Sequence, residues 1–226
     1  MKTLLTHFTL ALLLCLPAMA QDARPTVDRP GHREWAWDGG ARLGVGGAMT
    51  VRVVPGGPAR VVMTGPEELV RRAYLRRGDL GMESSNWSFN GPRERIEVTI
   101  SGVNLSEVSV SGSSQVTLEA ALRQRDLQAH VSGSGRIEAR GQVERLEAHV
   151  SGSGQVRLNG LAAEQADIRV SGSGSVELAA ARQVEATISG SGTVRIRERP
   201  QAMDHSISGS GRVIAGGQTY TRRKRD

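Results

Sequence analysis

Hydrophobic and polar residues alternate along residues 101–217, and the alternation returns with a period of about 19 residues. The tripeptide SGS begins at six positions, separated by steps of 21, 19, 20, 18 and 19 residues. A flexible linker has no reason to keep such a period, so the glycines and serines belong to a repeating structure. The first serines of the six copies are Ser111, Ser132, Ser151, Ser171, Ser189 and Ser208.

Alignment on these serines separates two faces of the chain. A valine or isoleucine precedes each first serine, as Val150 precedes Ser151, and apolar residues follow with the same parity, as at Val156 and Leu158. Side chains in a strand alternate between faces, so the apolar positions all point to one side. The glycines Gly152 and Gly154 fall in the same inward phase.

A coil of about 19 residues cannot bury its apolar side alone, whereas stacked coils bury it continuously. The pattern therefore predicts an all-β fold, a parallel single-stranded β-helix (β-solenoid). The SGSG segments would form one stacked corner, because glycine tolerates backbone angles that other residues avoid. The segment NGLAAEQ (159–165) is predicted to be a turn of the same coil.

Stacking also predicts columns of outward side chains about 4.8 Å apart. Six residues after each first serine, the outward column alternates in charge, and its glutamates and arginines are expected to form cross-rung ion pairs of about 0.2–1 kcal/mol each. The serines are expected to form hydrogen-bonded hydroxyl ladders. The members of the charged column are Thr117, Glu138, Arg157, Glu177 and Arg195.

The chain before the repeats reads as irregular β structure that covers the end of the solenoid. Residues 21–39 are predicted to be an extended lead, and 40–100 to form the N-terminal coils and cap, with turns at PGGP (55–58) and RRGD (76–79). The spacing at 68–75 permits a strand or a short helix. Residues 218–226 form a basic tail that either closes the other end or stays disordered.

The first twenty residues have the pattern of a secretory signal peptide. Lys2 supplies the positive region, residues 4–16 are apolar, and Ala18-Met19-Ala20 is an A-x-A cleavage site. The only cysteine, Cys15, lies in this segment, so no disulfide or thiolate site is expected after cleavage. Leu14 before it disfavours lipid anchoring, which wants a small residue there.

Charge excludes one class of partner. Four basic residues of the +6 chain lie in the tail, at 222–225, which leaves a nearly neutral body. A nucleic-acid interface would need a basic stripe on the body, interleaved with aromatic residues, and none is evident. No later segment is apolar enough to predict a membrane span.

The repeated VSGSGxV, preceded by RIEVTISGVNLSEVSVSGSSQVTLEA (95–120), resembles the bacterial family named putative auto-transporter adhesin, head GIN domain. The resemblance extends from about Gly40 to Gly217. It implies an exported parallel β-helix in the periplasm or on the surface of a Gram-negative bacterium. It also implies a protein without established enzymatic activity, and no cofactor is expected.

An acidic column is the candidate metal site. Glu147, Asp167 and Glu185 each lie four residues before a first serine, so stacking places them on adjacent rungs. Like charges at such spacing repel by about 1 kcal/mol even in water, and Ca²⁺ would relieve this because it prefers oxygen ligands. The alternative is a solvated face with arginines nearby. His130 and His149, two residues before their serines, also stack, although two histidines fall short of the three protein ligands usual for catalytic zinc.

Aromatic residues are absent between Ser101 and Thr219, so ligand stacking would have to use the N-terminal region. Trp35, Trp37 and Trp87 are the candidate ligand-binding residues there. The alternative is that these rings pack over the end of the core, since large apolar side chains mostly become buried.

Three functions are compatible with this sequence, and the first is favoured over the second because the repeat faces carry acidic residues but no aromatic rings. The first is a non-catalytic envelope protein whose rigid polar surface binds an envelope or extracellular ligand, a polysaccharide or a protein, for adhesion. The second is an enzyme acting on polysaccharide, which needs a groove where acidic side chains meet a basic or aromatic wall. The third is a structural protein that self-associates through its end coils.

Overall fold

The computed structural model describes residues 24–37, 39–83 and 95–222. The predicted signal peptide, Trp87 and the last four residues lie outside the described residues. Among the residues described, no helix is long and apolar enough to cross a membrane. The elements are β1 (Val27–Arg29), β2 (His32–Ala36), β3 (Arg42–Val45), β4 (Met49–Val54), β5 (Arg60–Thr64), α1 (Glu67–Val70), β6 (Ala73–Arg76), β7 (Asp79–Met82), β8 (Ile96–Ser101), β9 (Glu107–Gly112), β10 (Gln115–Gly133), β11 (Arg136–Gly152), β12 (Gln155–Gly172), β13 (Ser175–Gly190), β14 (Thr193–Ile196), β15 (Ala202–Gly209), β16 (Arg212–Ala215) and β17 (Gln218–Tyr220).

The repeats stack as parallel coils, which confirms the predicted β-solenoid. The long strands β10 to β13 pair in parallel, each with the next, and β9, β14, β15 and β16 continue the stack at its ends. All six first serines stand in register, from Ser111 to Ser208. The repeat period therefore sets the register of every rung.

Inward columns of β-branched residues make the core. Val131, Val150 and Val170 are each 2% exposed, and Val156 and Val176, in the column after the corner, are fully buried. Complete burial of one such side chain contributes about 1.5–3 kcal/mol. The alternate positions that are apolar in the sequence are thus the ones buried in the structure.

The two glycines of each corner have different physical roles. Gly152 has a φ of 103°, and a Cβ there would lie 2.8 Å from the carbonyl oxygen of Gly133 on the rung below. Gly154 is buried, and its Cβ would lie 2.3 Å from Cγ1 of Val131. The inward prediction is right for Gly154 and wrong for Gly152, which is exposed because the chain turns there.

The segment NGLAAEQ (159–165) is not a turn, because it lies inside the continuous strand β12. The register between β12 and β13 shifts between Leu158 and Ala162. Similar shifts occur between Thr117 and Ala121, and between Glu138 and Arg140. Bulges bend a strand without ending it, so the coil changes direction here through irregular pairing.

The N-terminal region extends the solenoid and caps it. Strand β3 pairs in parallel with β9, and β4 lies in parallel between β8 and β10. The strands β2, β5 and β8 then pair antiparallel, as an irregular cap. Residues 27–36, within the predicted extended lead, form the antiparallel pair β1–β2. Helix α1 and strand β6 divide the ambiguous segment 68–75 between them.

The other end is covered in part. Strand β17 pairs antiparallel with β16, so the described start of the basic tail closes one side of the last coil. The Tyr220 ring lies 5.1 Å from the ring of His205, which occupies an inward column on the last rung. Strand β15 pairs with β13 on one side, and no other pairing of β15 occurs in the described part of the chain.

Candidate functional site

The acidic column stacks as its spacing predicts. Glu147 is paired in register with Asp167, and Asp167 with Glu185, on three successive rungs of the stack. Parallel pairing of β11, β12 and β13 holds their backbones about 4.8 Å apart, and the outward phase turns the side chains toward solvent. The three carboxylates of the candidate calcium site therefore share one face.

An arginine already supplies positive charge to this column. Nη2 of Arg169 donates a hydrogen bond to Oδ2 of Asp167 at 2.6 Å, and Nη1 lies 3.8 Å from Oε1 of Glu147. Within residues 24–37, 39–83 and 95–222, no group of three or more His, Cys, Asp or Glu side chains is arranged to hold a metal ion. The calcium site stays a prediction. A bound cation would compete with Arg169 for the carboxylates of Asp167 and Glu147.

The two stacked histidines lie beside this cluster. The rings of His130 and His149 meet edge to face, with centroids 5.2 Å apart, and Nη1 of Arg169 lies 2.9 Å from Nε2 of His149. A guanidinium only donates hydrogen bonds, so this contact requires Nε2 of His149 as the acceptor. Burial lowers the pKa of His149, and the charges of His130 and Arg169 lower it further, whereas Glu147 and Asp167 oppose them.

The serines of the corner face solvent and do not form the predicted ladder. Ser132, Ser151 and Ser171 are exposed, and no hydrogen bond joins the hydroxyls of successive first serines in the described part of the chain. Ser114 differs, because it replaces the second glycine of its copy and is fully buried. Its Oγ accepts a hydrogen bond from the N–H of Met49 at 3.0 Å.

A groove of about 510 Å³ follows the bulges at the bend of the coils. Its walls carry two glutamates and two arginines, the combination expected of a polysaccharide-cleaving site. Each carboxylate is ion-paired: Glu119 lies 2.6 Å from Nη2 of Arg52, and Glu138 lies 3.7 Å from Nη1 of Arg157. The walls of the groove therefore carry paired charges of both signs.

The charged column pairs only in its first part. The predicted pair Glu138–Arg157 is formed. The predicted pair Glu177–Arg195 is absent from the ion pairs of the described residues, although the two residues are in register. Instead, Nδ2 of Asn159 donates a hydrogen bond to Oε2 of Glu177 at 2.8 Å. The period of the repeat did not reveal this competitor, because Asn159 lies two residues beyond the aligned column.

The tryptophans occupy different environments. Trp35 is 2% exposed and belongs to the hydrophobic core, which supports the packing interpretation for this ring. Trp37 is half-buried, and its Nε1 donates a hydrogen bond to the carbonyl oxygen of Gly40 at 2.9 Å. Trp87 lies outside the described residues, so ligand binding at the tryptophans stays a prediction.

The chain matches a known sequence family over most of its length. The model of the family described as "Putative auto-transporter adhesin, head GIN domain" matches residues 41–219. No curated protein matches the chain.

A solved structure shares the fold at low sequence identity, and others match over the same lengths. A putative adhesin from Bacteroides fragilis has a TM-score of 0.63 at 18% identity, over 80% of this chain and 94% of its own. A putative lipid binding protein from Parabacteroides distasonis (TM-score 0.48, 19% identity) and a putative adhesin from Parabacteroides merdae (TM-score 0.49, 15% identity) have the same two coverages.

Proposed function

Because this chain belongs to the family of putative auto-transporter adhesins with a head GIN domain, we propose that it is a non-catalytic, exported protein of the bacterial envelope. Its rigid polar surface binds an envelope or extracellular ligand, in the periplasm or at the cell surface. Adhesion is the activity that such a surface serves.

The stacking of outward positions into columns carries this proposal. Ser132, Ser151 and Ser171 repeat one chemical environment on successive rungs, as do Glu147, Asp167 and Glu185 on another outward column. A surface that repeats every rung offers several equivalent contacts to a repetitive ligand, and such contacts add through multivalency. Parallel pairing keeps the columns rigid, so little conformational entropy is lost on binding.

The ion-paired groove favours binding over polysaccharide cleavage. Cleavage of a glycosidic bond needs two carboxyl groups that both face the scissile bond. Glu119 and Glu138 each face an arginine instead, at 2.6 Å and 3.7 Å. The described groove therefore provides charge for recognition.

Retention of envelope polysaccharides on the immobilised protein tests this proposal. Peptidoglycan, lipopolysaccharide and capsular polysaccharide are applied, and both bound material and newly formed reducing ends are measured. We expect retention without new reducing ends. Turnover that disappears in Glu119→Gln or Glu138→Gln would establish an enzyme instead, and failure to retain any envelope component would contradict a binding function.

Self-association through the last coil is the second candidate, with a second copy of this chain as the partner. In the described structure one side of β15 is unpaired, and its inward-phase residues Met203 and Ile207 are only half-buried because no further described rung covers them. An unpaired strand edge with apolar neighbours is a template for pairing with another chain.

A further inference from the structure

We infer that the outward face of the last two rungs binds an acidic polysaccharide through Arg195, Arg197 and Arg212. These three residues are called the arginine face below. The inference rests on the proposed function, because it names the ligand class and the place of contact on the binding surface. The chemistry required of the ligand is a chain of sugars that carries carboxylates.

The arginine face differs from earlier rungs in its charge pairing. Many arginines elsewhere on the solenoid are within ion-pair distance of a carboxylate. Arg195, Arg197 and Arg212 are exposed and have no ion-pair partner among the residues described. The paired arginines include Arg52 (2.6 Å from Glu119), Arg145 (2.7 Å from Asp126), Arg157 (3.7 Å from Glu138), Arg169 (2.6 Å from Asp167) and Arg182 (3.2 Å from Glu164).

The regular pattern of the repeat predicts an ion pair that would neutralise Arg195. Glu177 precedes Arg195 in register, and a cross-rung pair between them would continue the column. The Asn159 amide occupies the Glu177 carboxylate from the other side, at 2.8 Å. On the following rung, Arg195 faces Ile214, which cannot pair with it. The guanidinium of Arg195 is therefore left for an external anion.

The register places the three arginines on two neighbouring rungs. Arg195 lies in β14 and Arg197 directly follows the end of that strand; both are exposed and line the same groove. Arg212 pairs with Thr193 on the next rung, so it is a diagonal neighbour of Arg195 at a backbone distance of about 7–8 Å. Unpaired cations on neighbouring positions, such as Arg195 and Arg212, repel one another, and an anionic chain relieves that repulsion.

A groove beside the arginine face has the shape and groups for a sugar chain. Its volume is about 430 Å³, and its lining includes Arg195, Arg197, Asn159, Glu177 and Ile214. Guanidinium groups bind carboxylates through two parallel hydrogen bonds, and the Glu177 oxygen that Asn159 does not use can accept from a sugar hydroxyl. The half-buried Ile214 offers an apolar surface to the face of a sugar ring.

The groove also continues along the solenoid. Asn159 lines both this groove and the larger one near Arg157, so the two meet at this residue. The path runs across successive rungs, parallel to the solenoid axis. A linear polymer can follow it and contact several rungs at once, which a single small anion cannot do.

A membrane surface fits this face less well. Peripheral proteins that lie on lipid bury exposed aromatic or aliphatic side chains in the headgroup region. The lining of the described groove contains no aromatic residue, and its partly exposed apolar side chain, Ile214, stands within a concave wall. Concavity favours a chain that enters the groove over a flat bilayer.

Binding of polygalacturonate, a polymer of sugar carboxylates, tests the inference. The purified protein is titrated with polygalacturonate by calorimetry, with dextran as the uncharged polymer and with vesicles of phosphatidylglycerol and phosphatidylcholine as the lipid arm. The test variant is Arg195→Gln/Arg197→Gln/Arg212→Gln. The matched control is Arg125→Gln/Arg145→Gln/Arg182→Gln, which removes the same charge from ion-paired arginines on another face. Circular dichroism and thermal melting verify that each variant is folded.

We expect the protein to bind polygalacturonate and not dextran, with affinity that falls as salt rises. The test variant should bind about tenfold more weakly or worse, and the control variant should lose about threefold at most. Equal losses in the two variants would overturn the inference, since they would show general charge attraction. Binding of vesicles but not of polygalacturonate, lost in the test variant, would identify a lipid surface instead.

The same titrations separate this inference from the proposed function. Retention of an envelope polysaccharide that is unchanged in the test variant would overturn the arginine face and leave the binding function intact. Absence of binding to every envelope component and to polygalacturonate would contradict both.

Discussion

Oγ of Ser114 accepts a hydrogen bond from the backbone N–H of Met49 at 3.0 Å, and this bond ties the first SGS corner to the first rung of the cap. Both residues are fully buried. In later copies this position is a glycine, such as Gly135, because the valine of the preceding rung occupies the space. One serine thus marks the junction between the regular repeats and the irregular N-terminal coils.

Removal of this hydroxyl should destabilise the protein. Ser114→Ala leaves the N–H of Met49 buried without an acceptor, and we expect the free energy of unfolding to fall by about 1–3 kcal/mol. Urea denaturation measures the change. Ser113→Ala, at the exposed neighbouring position, is the control and should stay within about 0.5 kcal/mol of the wild type. Equal midpoints for both variants would contradict the role given to Ser114.

A side chain at the corner glycine should cost more than one elsewhere. Gly152→Ala places a Cβ on a residue with φ of 103° and 2.8 Å from a backbone oxygen of the rung below. We expect a loss of about 1–3 kcal/mol in the free energy of unfolding. Gly46→Ala is the comparison, because its Cβ would meet only ordinary contacts at 3.5 Å and beyond. If Gly152→Ala were as stable as Gly46→Ala, the corner would accommodate a Cβ without strain, which would contradict this prediction.

The response to Ca²⁺ should depend on Arg169. Because this arginine neutralises Asp167 and Glu147, we expect Arg169→Gln to bind Ca²⁺ more tightly than the wild type. Calorimetric titration measures both proteins. Glu147→Gln and Asp167→Asn, each combined with Arg169→Gln, should reverse the gain. A Ca²⁺ affinity that is unchanged by Arg169→Gln would show that Arg169 does not compete with Ca²⁺ for these carboxylates.

Stability should fall on mild acidification because of His149. Its pKa in the folded protein is below the ordinary value of 6.5, chiefly through burial, so the unfolded chain takes up a proton first as the pH falls. The free energy of unfolding therefore decreases from about pH 6.5 down to the folded pKa, and is constant below it for this group. Urea midpoints between pH 7 and pH 5 should show a smaller decline in His149→Asn. A decline of the same size in the variant would assign the effect to other groups.

Self-association should respond to a charge on the last rung. Ile207 lies half-buried in β15, which has one free side in the described structure, and Ile207→Lys would place a charge at any contact between end coils. Sedimentation at rising concentration should show larger species for the wild type and less of them for the variant. Thr187→Lys, on the outward side of the preceding strand β13, is the control. A wild type that remains a monomer at every concentration would contradict self-association.

The repeat period predicts both the register of the rungs and the residues of the core. Equal steps between the SGS motifs predict which residues face each other on adjacent rungs, because parallel pairing repeats once per coil. Ser151 and Ser171, or Val150 and Val170, stand opposite each other as alignment alone predicts. The alternation also predicts the core, since the parity of a strand is unaffected by its neighbours.

The prediction of a turn at 159–165, where the coil bends, was wrong. The polar and small residues at 159–165 resemble a turn, yet hydrogen bonds to the neighbouring rungs keep them in strand β12. A bulge depends on how two strands adjust to each other, and this adjustment has no signature in one strand alone. The antiparallel cap of β2, β5 and β8 is likewise a matter of long-range pairing.

The sequence alone determined the class of fold, the register of the rungs and the position of the acidic column, because all three follow from a fixed period. Only the tertiary structure decided which charges are neutralised. Arg169 reaches both Asp167 and Glu147, whereas Glu177 accepts from Asn159 and leaves Arg195 without a partner among the described residues. A long charged side chain can pair with any of several neighbours within a few ångströms. Which pair forms depends on the three-dimensional positions of those neighbours, not on their spacing along the chain.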